Sequence, residues 1–135
     1  DIDGVIVKPL SYQICTIDEY SQISSEYSKV KDEKKDKCRI VVLTISIENT
    51  TEEVADYTPS FIFVSEELNA FNGAIPIGSG SRHCTLLPHE TKEMKLRAYI
   101  GASQLEQNNL DKLDSSTITL VYSFYPYRRK LVFSR

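Results

Sequence analysis

The clearest periodicity in the chain runs from Cys38 to Asn49, where Val41, Leu43, Ile45 and Ile47 occupy alternate positions. The positions between them grade from Ile40 and Val42 to Thr44, Ser46 and Glu48. Period two predicts a strand with one face on a core, and its β-branched content suits a pleated surface. The same alternation recurs from Lys92 to Ile100, with Met94, Leu96, Ala98 and Ile100 opposed to Glu93, Lys95, Arg97 and Tyr99. It recurs again from Thr117 to Tyr125, with Ile118, Leu120, Tyr122 and Phe124 on one side. A last strand, Lys130 to Ser134, is predicted after a turn at Pro126-Tyr127-Arg128, and the two form a C-terminal hairpin.

Weaker strand signals precede these. Val5 to Leu10 and Tyr12 to Ile17 are separated by Pro9, which suits an edge or a change of sheet. Ser60 to Ser65 places Phe61 and Phe63 on one face, and Arg82 to Leu87 is short and stops at Pro88. Asn72-Gly73 reads as a turn, and Gly78-Ser79-Gly80-Ser81 as a flexible loop. Two stretches lack strand character. Asp18 to Lys37 holds eleven charges in twenty residues, with Tyr20, Ile23, Tyr27 and Val30 near helical spacing. It reads as a long solvated connection with a short helical piece. Ser103 and Glu106 fit a capping box ahead of Leu105, Leu110 and Leu113, which predicts one short helix.

The predicted fold is therefore all-β: an immunoglobulin-like β-sandwich of about seven or eight strands with one short helix. A length of 135 residues fits one domain, 1–135, with 18–37 as its charged connection. Composition changes little: 41% hydrophobic and 26% charged residues describe a globular chain and exclude a wholly disordered one. A net charge of −3 gives no electrostatic case for nucleic acid. No apolar run is long enough to span a membrane as a helix, so any membrane attachment would come through an N-terminal lipid anchor outside this chain.

One run resembles something known. Val41-Val42-Leu43-Thr44-Ile45-Ser46-Ile47-Glu48-Asn49-Thr50-Thr51 is a hydrophobic strand ending in Glu-Asn-Thr and a polar turn. It is followed by the Phe-containing strand Ser60-Phe61-Ile62-Phe63 and by Leu86-Leu87-Pro88-His89-Glu90-Thr91 ahead of an alternating strand. This order resembles the small immunoglobulin-like extracellular domains of Gram-positive secreted lipoproteins, a family similar in fold to the mycobacterial immunoprotective extracellular antigen. His89 departs from the family's Gly in the last turn, a residue type less favourable than Gly if a positive φ is needed. The resemblance implies a secreted or lipid-anchored β-sandwich, and it carries no catalytic residue.

Candidate chemistry is sparse. Imidazole and thiolate at His83, Cys84 and His89 are the one grouping with the donors of a zinc or copper site. His83 and Cys84 are adjacent, however, and neighbours in a strand point to opposite faces. The expected alternative is two exposed loop histidines and one packed cysteine. Cys15, Cys38 and Cys84 permit one disulfide in three pairings, or three buried thiols. There is no G-x-S-x-G elbow and no phosphate-binding glycine motif. No cofactor is expected. Asn49-Thr50-Thr51 matches a glycosylation sequon, but reads better as a strand-ending turn. The most unusual local composition is Tyr122 to Lys130, four aromatics followed by three cations.

The functional expectation is a non-enzymatic extracellular binding or interaction module. Its contacts would be made by Tyr125, Tyr127, Arg128 and Arg129, with the Phe71–Ser81 loop as a second surface. Its partner would be a protein or carbohydrate at the cell envelope. The alternative is a small metal-binding or enzymatic domain using His83, Cys84 and His89.

Overall fold

In the computed structural model, residues 4–25, 27, 36–57, 60–77, 84–101, 104–105, 107–124 and 127–133 are described. Nine strands occur among them: β1 (Val5–Cys15), β2 (Arg39–Asn49), β3 (Ala55–Tyr57), β4 (Ser60–Ser65), β5 (Ala70–Pro76), β6 (Cys84–Leu86), β7 (Thr91–Ile100), β8 (Ile118–Phe124) and β9 (Tyr127–Phe133). Seven of them join in the antiparallel order β1-β2-β7-β5-β4-β8-β9, and β3 pairs with β6 alone.

β5 is the corner of this sheet. Its residues 70–74 pair with β4, while Ile75 and Pro76 pair with Arg97 and Leu96 of β7. The sheet thereby folds over, and its two ends meet where the rings of Tyr12 in β1 and Phe133 in β9 pack edge to face at 6.3 Å. The result is a β-sandwich, as the alternation predicts. Val41, Leu43, Ile45 and Ile47 of β2 and Leu96, Ala98 and Ile100 of β7 line one inner face, all essentially inaccessible. Phe61, Phe63, Ile118, Leu120 and Tyr122 line the other. Burying a Leu, Ile or Phe side chain contributes about 1.5–3 kcal/mol, so these two faces supply most of the cohesion.

The start of the charged connection is more ordered than composition suggests. A one-turn helix, α1 (Ile17–Tyr20), is closed by a capping box. The Thr16 hydroxyl accepts from the Glu19 N–H at 3.2 Å, and the Glu19 carboxylate accepts from the Thr16 N–H at 2.9 Å. The Thr16 N–H, and the Thr16 side chain beside it, hold the Glu19 carboxylate below its usual pKa by hydrogen bonding to it. α1 lays Ile17 and Tyr20 over Cys15, Cys38, Ile40 and Val42. This second cluster sits on the outer face of β1 and β2, which explains why Ile40 and Val42 are apolar on a face that turns polar further along. Tyr20 is fully buried against Tyr27, whose ring lies 5.5 Å from it and 5.1 Å from the Arg97 guanidinium.

Several expectations shift. Val5–Leu10 and Tyr12–Cys15 form the single edge strand β1, whose register slips between Pro9 and Ser11, while Thr16 and Ile17 at the end of the predicted second strand open α1. A bulge takes up Leu10, so Pro9 interrupts the ladder without ending the strand. Asn72-Gly73 is mid-strand and not a turn. The turn lies upstream at Glu66–Asn69, where Asn69 carries a φ of 53°. Asn72 is held in β5 because its Nδ2 donates to the Tyr99 carbonyl of β7 at 2.7 Å. β3 has no counterpart in the sequence reading. A 3-10 helix, Gln107–Ser115, occupies the predicted helical stretch, burying Leu110 and Leu113. Ser103 and Glu106 lie outside the described residues.

Candidate functional surface

The sequon residues form a structural knot. Asn49 is fully buried at the end of β2. Its Nδ2 donates to the Glu53 carbonyl at 2.7 Å and lies 3.2 and 3.3 Å from the carbonyls of Leu87 and Leu86. Its Oδ1 accepts from the Thr51 N–H at 3.0 Å and from the Thr51 hydroxyl at 2.7 Å. An amide has two hydrogens, so both are committed to carbonyls in the folded chain. The strand-ending turn is thus what these residues build. Thr50 extends the knot to the first described residue, donating from its N–H and its hydroxyl to the Gly4 carbonyl. Gly4 has a φ of +82°, and a Cβ there would collide with the Thr51 methyl.

The Pro88-His89 turn closes on the same knot. The Glu90 N–H donates to the Leu87 carbonyl at 3.0 Å, and His89 carries a φ of 62°. Proline second and a positive φ third is the type II pattern. The departure from Gly noted in the sequence therefore falls at the one position where Gly would be easier. The exposed His89 places Nε2 2.7 Å from the Glu52 carboxylate.

For the other sequence-predicted metal ligands, Cys84 is buried in the main core and burial raises its pKa. His83 lies outside the described residues. Among the described residues, no three or more His, Cys, Asp or Glu side chains are placed to share an ion. All three cysteines are free and buried. Burial raises the pKa of Cys15 and of Cys38 as well. Such thiols stay protonated and are poor nucleophiles.

The aromatic and basic segment is rearranged. Phe124 pairs directly with Tyr127, leaving only 125–126 to connect β8 and β9. Tyr127, Arg128 and Arg129 therefore belong to a strand and not to a turn, because a two-residue hairpin returns into register at once. Arg128 pairs with Ser123 and Arg129 with Tyr122. Consecutive strand residues occupy opposite faces, so the two arginine positions do not form one patch. Tyr125 lies outside the described residues. The predicted Phe71–Ser81 loop is strand β5 as far as Pro76, and 78–83 lie outside the described residues.

These two segments are the flanking strands of one sheet face. In β5-β4-β8-β9, the outward row Phe71, Val64, Thr119, Val132 runs across all four strands. The next row is Gly73, Ile62, Val121 and the position of Lys130. Phe71 is 65% exposed and Val132 50%. Ile62, Val64 and Val121 are half-buried. Thr119, between Val64 and Val132, is only 6% exposed. A Cβ built on Gly73 would meet nothing within 4 Å, so the sheet surface is open at that position. The outer face of the other layer is polar where α1 does not cover it, with Thr44, Ser46 and Glu48 beside Glu93, Lys95 and Arg97. Sequence reasoning passed over the apolar face, although the unbroken run Phe61-Ile62-Phe63-Val64 signals a strand apolar on both sides.

Solved structures share this fold. The chain is similar to a conserved hypothetical protein from Bacillus anthracis, with TM-score 0.52 and 14% identity over 96% of this chain and 89% of that one. It is also similar to an uncharacterised β-sandwich protein from Clostridium difficile 630, with TM-score 0.50 and 10% identity over 99% of this chain and 88% of that one. At these identities the likeness concerns the β-sandwich alone. No established protein family matches the sequence. No curated protein matches it either.

Proposed function

We propose that this chain is a non-enzymatic extracellular binding or interaction module, presented on a secreted or lipid-anchored bacterial protein. The observation that carries the reading is the exposed apolar face of β5-β4-β8-β9. Monomeric surfaces scatter their apolar residues, and contiguous exposed rows mark contact sites. A rigid sheet holds the rows without an ordering cost on binding. The register positions of Arg128 and Lys130 fall on the same side of β9 as Val132 and border the face, where a charged rim is the usual anatomy of an interface. Envelope partners, protein or carbohydrate, fit an aromatic and basic surface. The resemblance of the Asn49 strand and the Pro88 turn to secreted Gram-positive domains supports the location.

The test is retention on purified envelope material from the native host. Wild-type protein is expected to sediment with it, and Phe71→Glu combined with Arg128→Glu and Arg129→Glu is expected to stay in solution. Wild-type protein that does not sediment, or a variant that sediments equally, removes the reading.

A further inference from the structure

We propose that Asn72-Gly73 is a self-modification site, at which the folded chain converts Asn72 to isoaspartate or aspartate and thereby loosens the β5 corner. A turn would account for the glycine of this pair, but the pair stands in mid-strand. Gly73 carries no positive φ, and a Cβ built on it would meet nothing within 4 Å. Neither backbone conformation nor crowding requires glycine there, and glycine weakens the interior of a strand. What glycine supplies at this position is an unhindered backbone nitrogen next to an asparagine side chain. The Gly73 N–H donates to the Asn72 Oδ1 at 2.8 Å, so the nitrogen and the amide group it would attack are in contact. Residues 70–74 of β5 pair with β4, and pairing with β7 starts only at Ile75. The peptide between Asn72 and Gly73 therefore lies just ahead of that exchange of partners, with Gly73 exposed to water. Rotation about the Asn72 backbone carries the nitrogen from Oδ1 to Cγ with no side chain at position 73 to obstruct it.

The reaction needs only water. The Gly73 nitrogen bonds to the Asn72 Cγ, the Cγ–Nδ2 bond breaks, and the proton from Gly73 leaves with Nδ2 as ammonia. The cyclic imide then takes up a water molecule. Hydrolysis at the Cγ–N bond gives aspartate. Hydrolysis at the backbone C–N bond gives isoaspartate, in which the main chain continues through Cγ. Either product alters the corner. The Asn72 Nδ2 donates to the Tyr99 carbonyl of β7 at 2.7 Å, and a carboxylate in its place only accepts. Isoaspartate also adds a methylene to the main chain just ahead of Ile75 and Pro76, which pair with Arg97 and Leu96. Inside and outside alternate along β5, with Ala74 and Pro76 buried, so a lengthened main chain disturbs that placement. Asn49 shows the opposite arrangement. The nitrogen that follows it, in Thr50, donates to the Gly4 carbonyl at 2.8 Å and is turned away from the Asn49 amide.

Incubation of the folded protein at neutral pH tests the proposal. Peptide masses report the change from amide to acid. Methyl transfer from S-adenosylmethionine by an isoaspartyl methyltransferase reports the isoaspartate. Conversion is expected at Asn72 ahead of Asn49, Asn69, Asn108 and Asn109, with release of ammonia. Gly73→Ala, which the open surface accommodates, is expected to slow it at least about tenfold without lowering the urea midpoint. Asn72→Asp is expected to lower that midpoint. Incubated wild-type protein is expected to move toward the Asn72→Asp value, while incubated Gly73→Ala keeps its own. Conversion confined to the urea-unfolded chain, no faster at Asn72 than at the other asparagines, or equally fast in Gly73→Ala overturns the self-modification site. Conversion that leaves the midpoint unmoved overturns its effect on the corner.

Discussion

Three single residues, Asn49, His89 and Ser65, differ in how well their side chains suit the positions they hold. Asn49 serves three carbonyls and two donors from a fully buried site. Asn49→Asp keeps the shape but sets a carboxylate oxygen against those carbonyls. A loss of about 3 kcal/mol or more is expected, read from urea unfolding. His89 carries a side chain at a φ of 62°, a conformation that costs an L-residue about 1 kcal/mol or more. Its partner Glu52 is exposed, and such pairs contribute little. His89→Gly is therefore expected to raise stability, by up to about 1 kcal/mol. A lower unfolding midpoint would show that the imidazole matters more than the backbone. Ser65 is fully buried, and its hydroxyl has no partner among the described residues. Ser65→Ala is expected to be neutral or stabilising by up to about 1 kcal/mol, because it removes an uncompensated polar group.

At the scale of elements, α1 shows how a short helix exists only by virtue of what surrounds it. One turn is far below the length at which a helix is stable alone. Its capping box and the burial of Ile17 and Tyr20 hold it in place. Thr16→Ala is expected to cost about 1 kcal/mol. The Glu19 pKa is lowered by its hydrogen bonds to Thr16. A lowered acid contributes stability above its unfolded pKa of about 4.3, and that contribution is lost as pH falls through the folded value. Glu19→Gln keeps an acceptor for the Thr16 N–H and is expected to flatten the acid limb of the stability curve between about pH 5 and 3. An unchanged acid limb would place the acid sensitivity elsewhere. Thr16 and Glu19 carry the Thr-x-x-Glu pattern of such a box, but the sequence reading did not pick it out, because the charge density that follows points to a loop. The Ser103 and Glu106 pair, read as such a box, stands before a 3-10 helix that the apolar Leu110 and Leu113 pull onto the core.

For the molecule as a whole, the two layers differ in what they leave uncovered. α1 and Tyr27 roof the apolar end of the first layer, while Phe71, Val64, Ile62, Val121 and Val132 remain open on the second. That asymmetry underlies the proposed function. The three thiols add a collective alkaline signature. Burial raises each folded pKa, so the folded state favours the protonated thiol. Their stabilisation is complete below the unfolded pKa, about 8.5, and is lost as pH rises through the folded values. Tyr99, also raised by burial, extends the trend. A falling melting temperature above about pH 9 is expected, with a shallower fall in Cys84→Ala measured against its own value at neutral pH. A flat alkaline limb in the parent would mean that the thiols are solvated.

The hydrophobic pattern alone determined the all-β class, the strands β2, β4, β7 and β8 and their inner faces, because a strand with one face on a core must alternate. Asn49-Thr50-Thr51 as a turn was also legible, since a turn is a local backbone property, whereas the positive φ at His89 was raised only as a condition, through the resemblance to a family with Gly there. Only the tertiary structure decided the rest. β5 carries a turn-like Asn-Gly pair, and its strand state follows from Asn72 reaching the Tyr99 carbonyl across the corner. Tyr127 to Arg129 look like a basic turn until pairing with β8 claims them. The open apolar face depends on four strands lying side by side in register, a long-range arrangement that no local window contains.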